Sequence, residues 1–211
     1  MRYEKGRKDA TRRRILEVAA GRFRRDGIAA SGLAGIMGDA GLTNGAFYPH
    51  FPSKAALVRD SVAAVLEDQA KRLRKILATG GLEGFIAAYL SPQHRDGAGE
   101  GCAAAALLPE LARQPTATRR RHAEGFLAAV RHIAAVLPPQ TRDRESVALA
   151  VYATLVGSLQ LARATKGTAL SDRVLAAGTK TARALGNTPR RRSGSPRRAP
   201  RDRSRPAAAR P

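Results

Sequence analysis

The sequence predicts an all-helical chain, and three observations carry that reading. Apolar residues make up 43% of the chain, chiefly Ala and Leu, whereas aromatic residues make up only 4%. That bias favours helix over strand. Apolar positions recur at helical spacing through most of residues 1–186, and Gly, Pro, Ser and Thr stand where such helices would begin and end.

The first helix is expected from about residue 9 to 26, with Ile15, Leu16, Ala19, Ala20 and Phe23 as its apolar stripe and Gly27 as its stop. Ser31 is the expected N-cap of a short second helix that ends near Ala40. Gly41 makes a turn, and Thr43 caps a third helix through about His50. Ser53 then caps a long fourth helix, whose stripe of Val58, Val62, Val65, Leu66, Gln69, Leu73, Ile76 and Leu77 is closed by Gly80 and Gly81. Residues 82–90 read as a short helix closed by Ser91 and Pro92, and 91–100 as a Gly-rich polar loop. Helices follow over 101–113, from Pro115 to about Leu137, over 142–166 and over 171–185. The helix at 142–166 is apolar nearly all round, so it needs cover on several faces, and a subunit interface supplies that economically.

The formal net charge of +21 implies a polyanionic partner or a basic tail. Both are present. Residues 187–211 hold nine Arg and one acid, Asp202, and contribute +8, while the first thirty residues hold ten basic and four acidic groups. The tail is rich in Pro, Arg, Ser and Ala and is expected to be disordered. The single cysteine, Cys102, excludes an intrachain disulfide and a thiolate metal cluster. The chain reads as cytoplasmic: its start has no signal-like apolar stretch, and no uninterrupted apolar run is long enough to span a bilayer.

The informative stretch is 31–54, in the order short helix, Gly turn, short helix. Two helices joined this tightly expose the second, whose N-terminus can enter a major groove. The pattern of Ile15, Leu16, Ala19, Ala20, Phe23, Gly27, Ile36, Ala40, Gly41, Leu42, Thr43, Gly45, Phe47, Tyr48, His50, Phe51, Ser53, Lys54 and Leu57 resembles the tetracycline-repressor (TetR/AcrR) family. It covers residues 10–60; beyond them only helix number and length are similar, with a weaker likeness at Gly101-Cys102 and Pro109-Glu110-Leu111-Ala112. Met37 departs from the Ala common at that position, Gly35 and Gly38 each weaken the second helix by about 1 kcal/mol relative to Ala, and the Arg-rich tail lies outside the usual pattern.

The resemblance implies three parts: a three-helix, helix-turn-helix DNA-binding domain (1–53), a helical ligand-sensing and dimerisation domain (54–186) and the tail (187–211). It implies a homodimeric repressor that binds a pseudo-palindromic, double-stranded DNA operator and is released by a small molecule or a thiol-reactive inducer. By position it assigns phosphate contacts to Thr43, Tyr48, His50 and Lys54, backbone contacts to Ser31 and Gly32, and base edges to Asn44 and Gly45. Phe47 and Phe51 read as core. Gln69, Tyr89, Cys102, Phe126, Tyr152 and Gln160 are candidate pocket residues. Cys102, at an expected helix N-terminus, is either a reactive thiol or a small buried apolar group, the second being the commoner fate. His94, His122 and His132 lack metal-ligand spacing, so no metal or cofactor is expected. No catalytic constellation is present, so an enzyme is not expected. The rival reading is an architectural protein that coats nucleic acid through its basic ends, which would not prefer one DNA site over a scrambled one.

Overall fold

A computed structural model of the chain describes residues 2–97, 99 and 101–187. Among them the regular structure is entirely helical: α1 (Arg2–Asp26), α2 (Leu33–Asp39), a single 3-10 turn (Asn44–Ala46), α3 (Lys54–Tyr89), α4 (Pro92–Asp96), α5 (Ala103–Leu111), α6 (Thr116–Val136), α7 (Arg144–Ala164) and α8 (Ala169–Gly186). The expected disordered tail lies outside the described residues.

The helix stops are where the glycines put them. Gly27 and Gly41 have φ of 88° and 68°, the left-handed region that closes helices. After α2, Gly41 N–H donates to the Gly38 carbonyl and Leu42 N–H to the Met37 carbonyl, both at 2.9 Å, a paired bond that satisfies the last free carbonyls. Gly81 breaks α3 with non-helical torsions, which accounts for the separate segment expected over 82–90. Ser53 caps α3 as expected, its hydroxyl accepting from Ala56 N–H at 3.1 Å.

Three expectations about helix ends are corrected. The first helix begins at Arg2, well before residue 9. Ser31 does not cap α2; Gly32 holds that position. The Ser31 hydroxyl turns inward and donates to the Gly27 carbonyl at 2.7 Å. The polar stretch 91–100 contains a helix, α4, because Ser91 and Pro92 act as a helix start and not as a stop: the Ser91 hydroxyl accepts from His94 N–H at 3.1 Å, with proline in the first turn. Arg163 on α7 closes the other end, donating to the His94 and Arg95 carbonyls at 2.7 and 3.1 Å. By length and mean composition alone α7 would also pass as a membrane-crossing helix, although Thr154, Gly157, Ser158 and Gln160 interrupt its apolar residues. In the fold it packs along α8 and α6, with Val151, Leu155 and Leu159 fully buried.

Two cores result. The N-terminal one gathers Ile15, Phe23, Ile36, Met37, Phe47, Phe51 and Leu57. Leu107 and Leu111 of α5 also enter it, as do Val58 and Val62 of α3. The C-terminal one is built from α3, α6, α7 and α8 around Ile86, Ile133, Leu155 and Leu159.

Candidate nucleic-acid interface and inner cavity

The segment after Gly41 is shorter than the helix expected there. Ala46 and Phe47 N–H donate to the carbonyls three residues back, and only Phe51 bonds at four, to Phe47. Pro49 explains the difference: it has no N–H for Gly45, and its ring biases Tyr48 away from helical torsions. Thr43 occupies the cap position without a side-chain cap bond.

This turn is anchored by what it buries. Phe47 and Phe51 stack 5.7 Å apart inside the N-terminal core, as expected for both. Tyr48 stands edge-on to Phe47, 5.3 Å between centroids, and is 67% exposed. Thr43, Asn44 and Gly45 are exposed beside it. A Cβ at Gly45 would meet nothing within 4 Å, so the fold itself does not require glycine there. Gly32 is exposed and equally open. Lys54, in the first turn of α3, is half-buried, and so is His50. Burial lowers the proton affinity of His50, and the positive charges of Lys8 and Arg12 lower it further, which places that arm of α1 beside the turn. Arg12 also lies over the Phe51 ring at 4.8 Å and pairs with Asp60 at 2.6 Å. Ser31 is the exception among the proposed contacts. At 1% exposure, with its hydroxyl committed to Gly27, it is removed from any surface contact.

Gly35, which weakens α2 by propensity, has a packing role. The Arg22 guanidinium lies where its Cβ would be, on the way to Asp39, which accepts from Arg22 Nε at 2.6 Å. The missing side chain thus lets α1 and α2 be tied together.

A cavity of about 560 Å³ lies where α1, α3, α6 and the start of α5 meet. Gln69, Tyr89, Cys102, Phe126 and Tyr152 all line it. Gln160 does not: it is eight residues beyond Tyr152 on α7, about 12 Å along the axis, so it sits at another level of the bundle. Cys102 is buried at the N-cap of α5, its Sγ 3.5 Å from Tyr152 Oη. Gln69 Nε2 donates to the Gly101 carbonyl at 3.2 Å. His94 accepts from Cys102 N–H through Nε2 (3.1 Å), so its Nδ1 carries the proton and donates to the Tyr89 carbonyl at 2.7 Å. Burial lowers the proton affinity of His94 and of His122, another lining residue. Among the described residues no group of three His, Cys, Asp or Glu is placed to hold a metal.

The sequence reading missed Glu110. Its Oε2 accepts from Ala29 N–H at 2.9 Å, and its Oε1 lies 2.7 Å from where a Cβ on Gly27 would be. Helix α5 therefore starts at the cavity and ends against the α1–α2 turn. A second strut is Arg24, whose Nε donates to the Gly99 carbonyl at 2.5 Å.

Together these features define an all-helical chain with an N-terminal helix-turn-helix unit and a helical body that holds an open-sided cavity. Residues 15–60 match the family described as bacterial regulatory proteins, tetR family. That match covers the N-terminal helices of the chain. Over 73 residues it is 33% identical to the HTH-type transcriptional repressor KstR2 of Rhodococcus jostii (strain RHA1), a match that spans 35% of this chain and about a third (36%) of the relative. Solved structures of similar fold include a TetR-family regulator from Cytophaga hutchinsonii, at TM-score 0.70 and 21% identity over 84% of this chain and 96% of that one. NemR of E. coli in its reduced form gives TM-score 0.68 at 19% identity, over 81% and 96%. FadR of Bacillus subtilis in complex with stearoyl-CoA gives 0.62 at 13%, over 82% and 97%.

Proposed function

We propose that the chain is a homodimeric transcriptional repressor that grips a pseudo-palindromic operator through residues 43–54 and lets go when a small molecule enters the cavity. One observation carries this reading: a single turn buries Phe47 and Phe51 while it holds Asn44, Gly45 and Tyr48 out to solvent. A turn braced in this way can present side chains in a major groove without deforming. Asn44 is placed to read a base edge, open Gly45 admits close approach of the duplex, and Thr43, Tyr48, His50 and Lys54 meet phosphates. Residues 1–53 form the DNA-reading part and 54–186 the sensing and pairing part.

Two copies are proposed to pair through α7 and α8. Leu161 is 61% exposed, and Leu149 and Leu170 are exposed as well, an unusual amount of apolar surface to leave in water. The effector acts by differential affinity for two arrangements of the dimer. Helix α5 is the proposed strut, because it touches the cavity at Cys102 and the α1–α2 turn at Glu110. A thiol-reactive inducer would have to reach Cys102 through the same cavity.

Footprinting on DNA upstream of the protein's own gene tests the reading. The expected result is protection of a two-fold symmetric site. Asn44→Ala should relax base preference at one position in each half-site, by roughly 1–3 kcal/mol. Tyr48→Ala should weaken binding by a similar factor on every sequence. Equal binding of a scrambled duplex, or variants with unchanged footprints, would overturn it.

A further inference from the structure

The cavity has a specific chemistry. Of the five Phe and four Tyr in the chain, two of each line it: Phe85, Phe126, Tyr89 and Tyr152. In a chain this poor in aromatics, that is a concentration. The Phe126 and Tyr152 rings lie 5.2 Å apart and those of Phe85 and Tyr89 5.5 Å apart, so the walls offer faces and edges to a flat guest.

The polar groups of the inner end differ in one respect. Tyr152 Oη has Cys102 Sγ, Gln69 has the Gly101 carbonyl, and both His94 nitrogens have partners. The Tyr89 hydroxyl has none, although the residue is only 7% exposed. Cys102 is close enough to raise the proton affinity of this hydroxyl through its charge and as a weak hydrogen-bonding group, but no atom, its thiol included, meets full hydrogen-bond geometry with the Tyr89 oxygen. A buried hydroxyl without a partner is rare and costly, so it points to something that is absent.

Charge tells where the guest's polar atom cannot be ionic. The charged lining residues, among them Arg13, Glu17, Glu67, Asp68, Lys71 and Arg72, are exposed and of mixed sign. Arg24 is half-buried on the same rim. The inner lining of Tyr89, Tyr152, Cys102, Gln69 and the two aromatic hydrocarbons presents no formal charge, and burial holds His94 and His122 toward their neutral forms. An ion carried inward would lose water, and the nearest formal charge behind the lining, Arg163, is already committed to the His94 and Arg95 carbonyls.

We infer that the cavity takes an uncharged aromatic compound whose carbonyl oxygen accepts a hydrogen bond from the Tyr89 hydroxyl. The inference rests on the cavity's being the effector site for its regulatory meaning, but not for the binding itself.

The test is calorimetry on the full chain, without DNA, using three matched probes: benzophenone, diphenylmethane and 4-benzoylbenzoate. Benzophenone should bind about tenfold more tightly than diphenylmethane, which has the same rings and no acceptor. The benzoate should bind more weakly than benzophenone. Tyr89→Phe should bring benzophenone down to the level of diphenylmethane and leave diphenylmethane unchanged. The variant should melt no lower than the parent chain, since it removes only an unpartnered hydroxyl. The inference is overturned if no probe binds, if the two neutral probes bind equally, if the benzoate binds best, if Tyr89→Phe leaves benzophenone unaffected, or if that variant melts lower. A parallel gel shift with the operator separates the two readings. Benzophenone that binds through Tyr89 and leaves the DNA complex intact sinks the effector reading alone. Loss of the DNA complex without Tyr89-dependent binding sinks this inference alone.

Discussion

The two halves of the molecule bury their aromatic residues for opposite ends. In the N-terminal core Phe23, Phe47 and Phe51 are sealed, while Asn44, Gly45 and Tyr48 of the same turn are exposed and His50 is half-buried. In the C-terminal body Phe85, Tyr89, Phe126 and Tyr152 surround a hollow, and one of their hydroxyls lacks a partner. Tight packing makes a stiff platform, which a surface that must match a rigid duplex needs. A hollow with an unmet donor makes a region whose stability changes when a guest enters. The contrast teaches that rigidity and responsiveness are placed apart here and joined by two helices, the long α3, which enters both cores, and the short α5.

The largest effect expected from this contrast is at neighbouring positions of one turn. Phe47→Ala should cost about 3–5 kcal/mol in unfolding free energy, since it empties a fully buried ring site. Tyr48→Ala, one residue on, should stay within roughly 0.5 kcal/mol and yet lose DNA affinity. Denaturant unfolding and gel shifts on the two variants measure the pair. If Phe47→Ala were tolerated, or Tyr48→Ala destabilised the fold as much, the platform would not be built as described.

The next effect is on the join. Glu110→Gln keeps an acceptor for Ala29 N–H but weakens it, and Glu110→Ala removes it, for about 1 kcal/mol of stability at this exposed site. The more telling quantity is coupling. Once a probe is found that releases the operator, Glu110→Ala should leave its affinity for the free protein intact while shrinking the factor by which it weakens DNA binding. A coupling factor unchanged in Glu110→Ala would show that the signal bypasses α5.

Much of this was legible from residues alone. Gly27, Gly41 and Gly81 mark their helix ends because each needs, or readily takes, a left-handed torsion that other residues avoid. The exposed turn was legible because Phe47, Tyr48, Pro49, His50 and Phe51 are local to one another, and local chemistry dictates which ring turns in. What was not legible depends on distance along the chain. Nothing around Ser31 signals that the Gly27 carbonyl will take its hydroxyl inward. Ser91 and Pro92 read equally as the end of one helix and the start of another, and the partners that hold α4 are distant in sequence: Arg163, 68 residues from Arg95, and Asp172, 77 residues from it. Tyr152 and Gln160 were both candidates for the cavity, and being on one helix does not tell at which level along it each residue sits. Glu110 was missed for the same reason: its partner is 81 residues away.

The smallest predicted effect concerns acid. Burial comes first in lowering the proton affinity of His94; the charge of Arg163 adds to this, and the hydrogen bond to the Tyr89 carbonyl opposes it. The groups that face it are Tyr89 on α3, Cys102 at the start of α5 and Arg163 on α7, none of them a carboxylate. The unfolded chain therefore binds the proton more readily than the folded one. Stability is present above the ordinary histidine value of 6.5 and is lost as the pH falls below it. His122 and His50 shift in the same direction and add to the slope. Protonation at Nε2 would also set an N–H against the Cys102 N–H that now donates to it, so the acid form should loosen the inner end of the cavity first. Melting measured from pH 7.5 to 5.5 should decline, and His94→Gln should decline less steeply than the parent chain from a lower start. A parent chain that gains stability toward acid, or a variant that keeps the whole slope, would show that His94 is not held neutral by its surroundings and that the inner end is wetter than its burial implies.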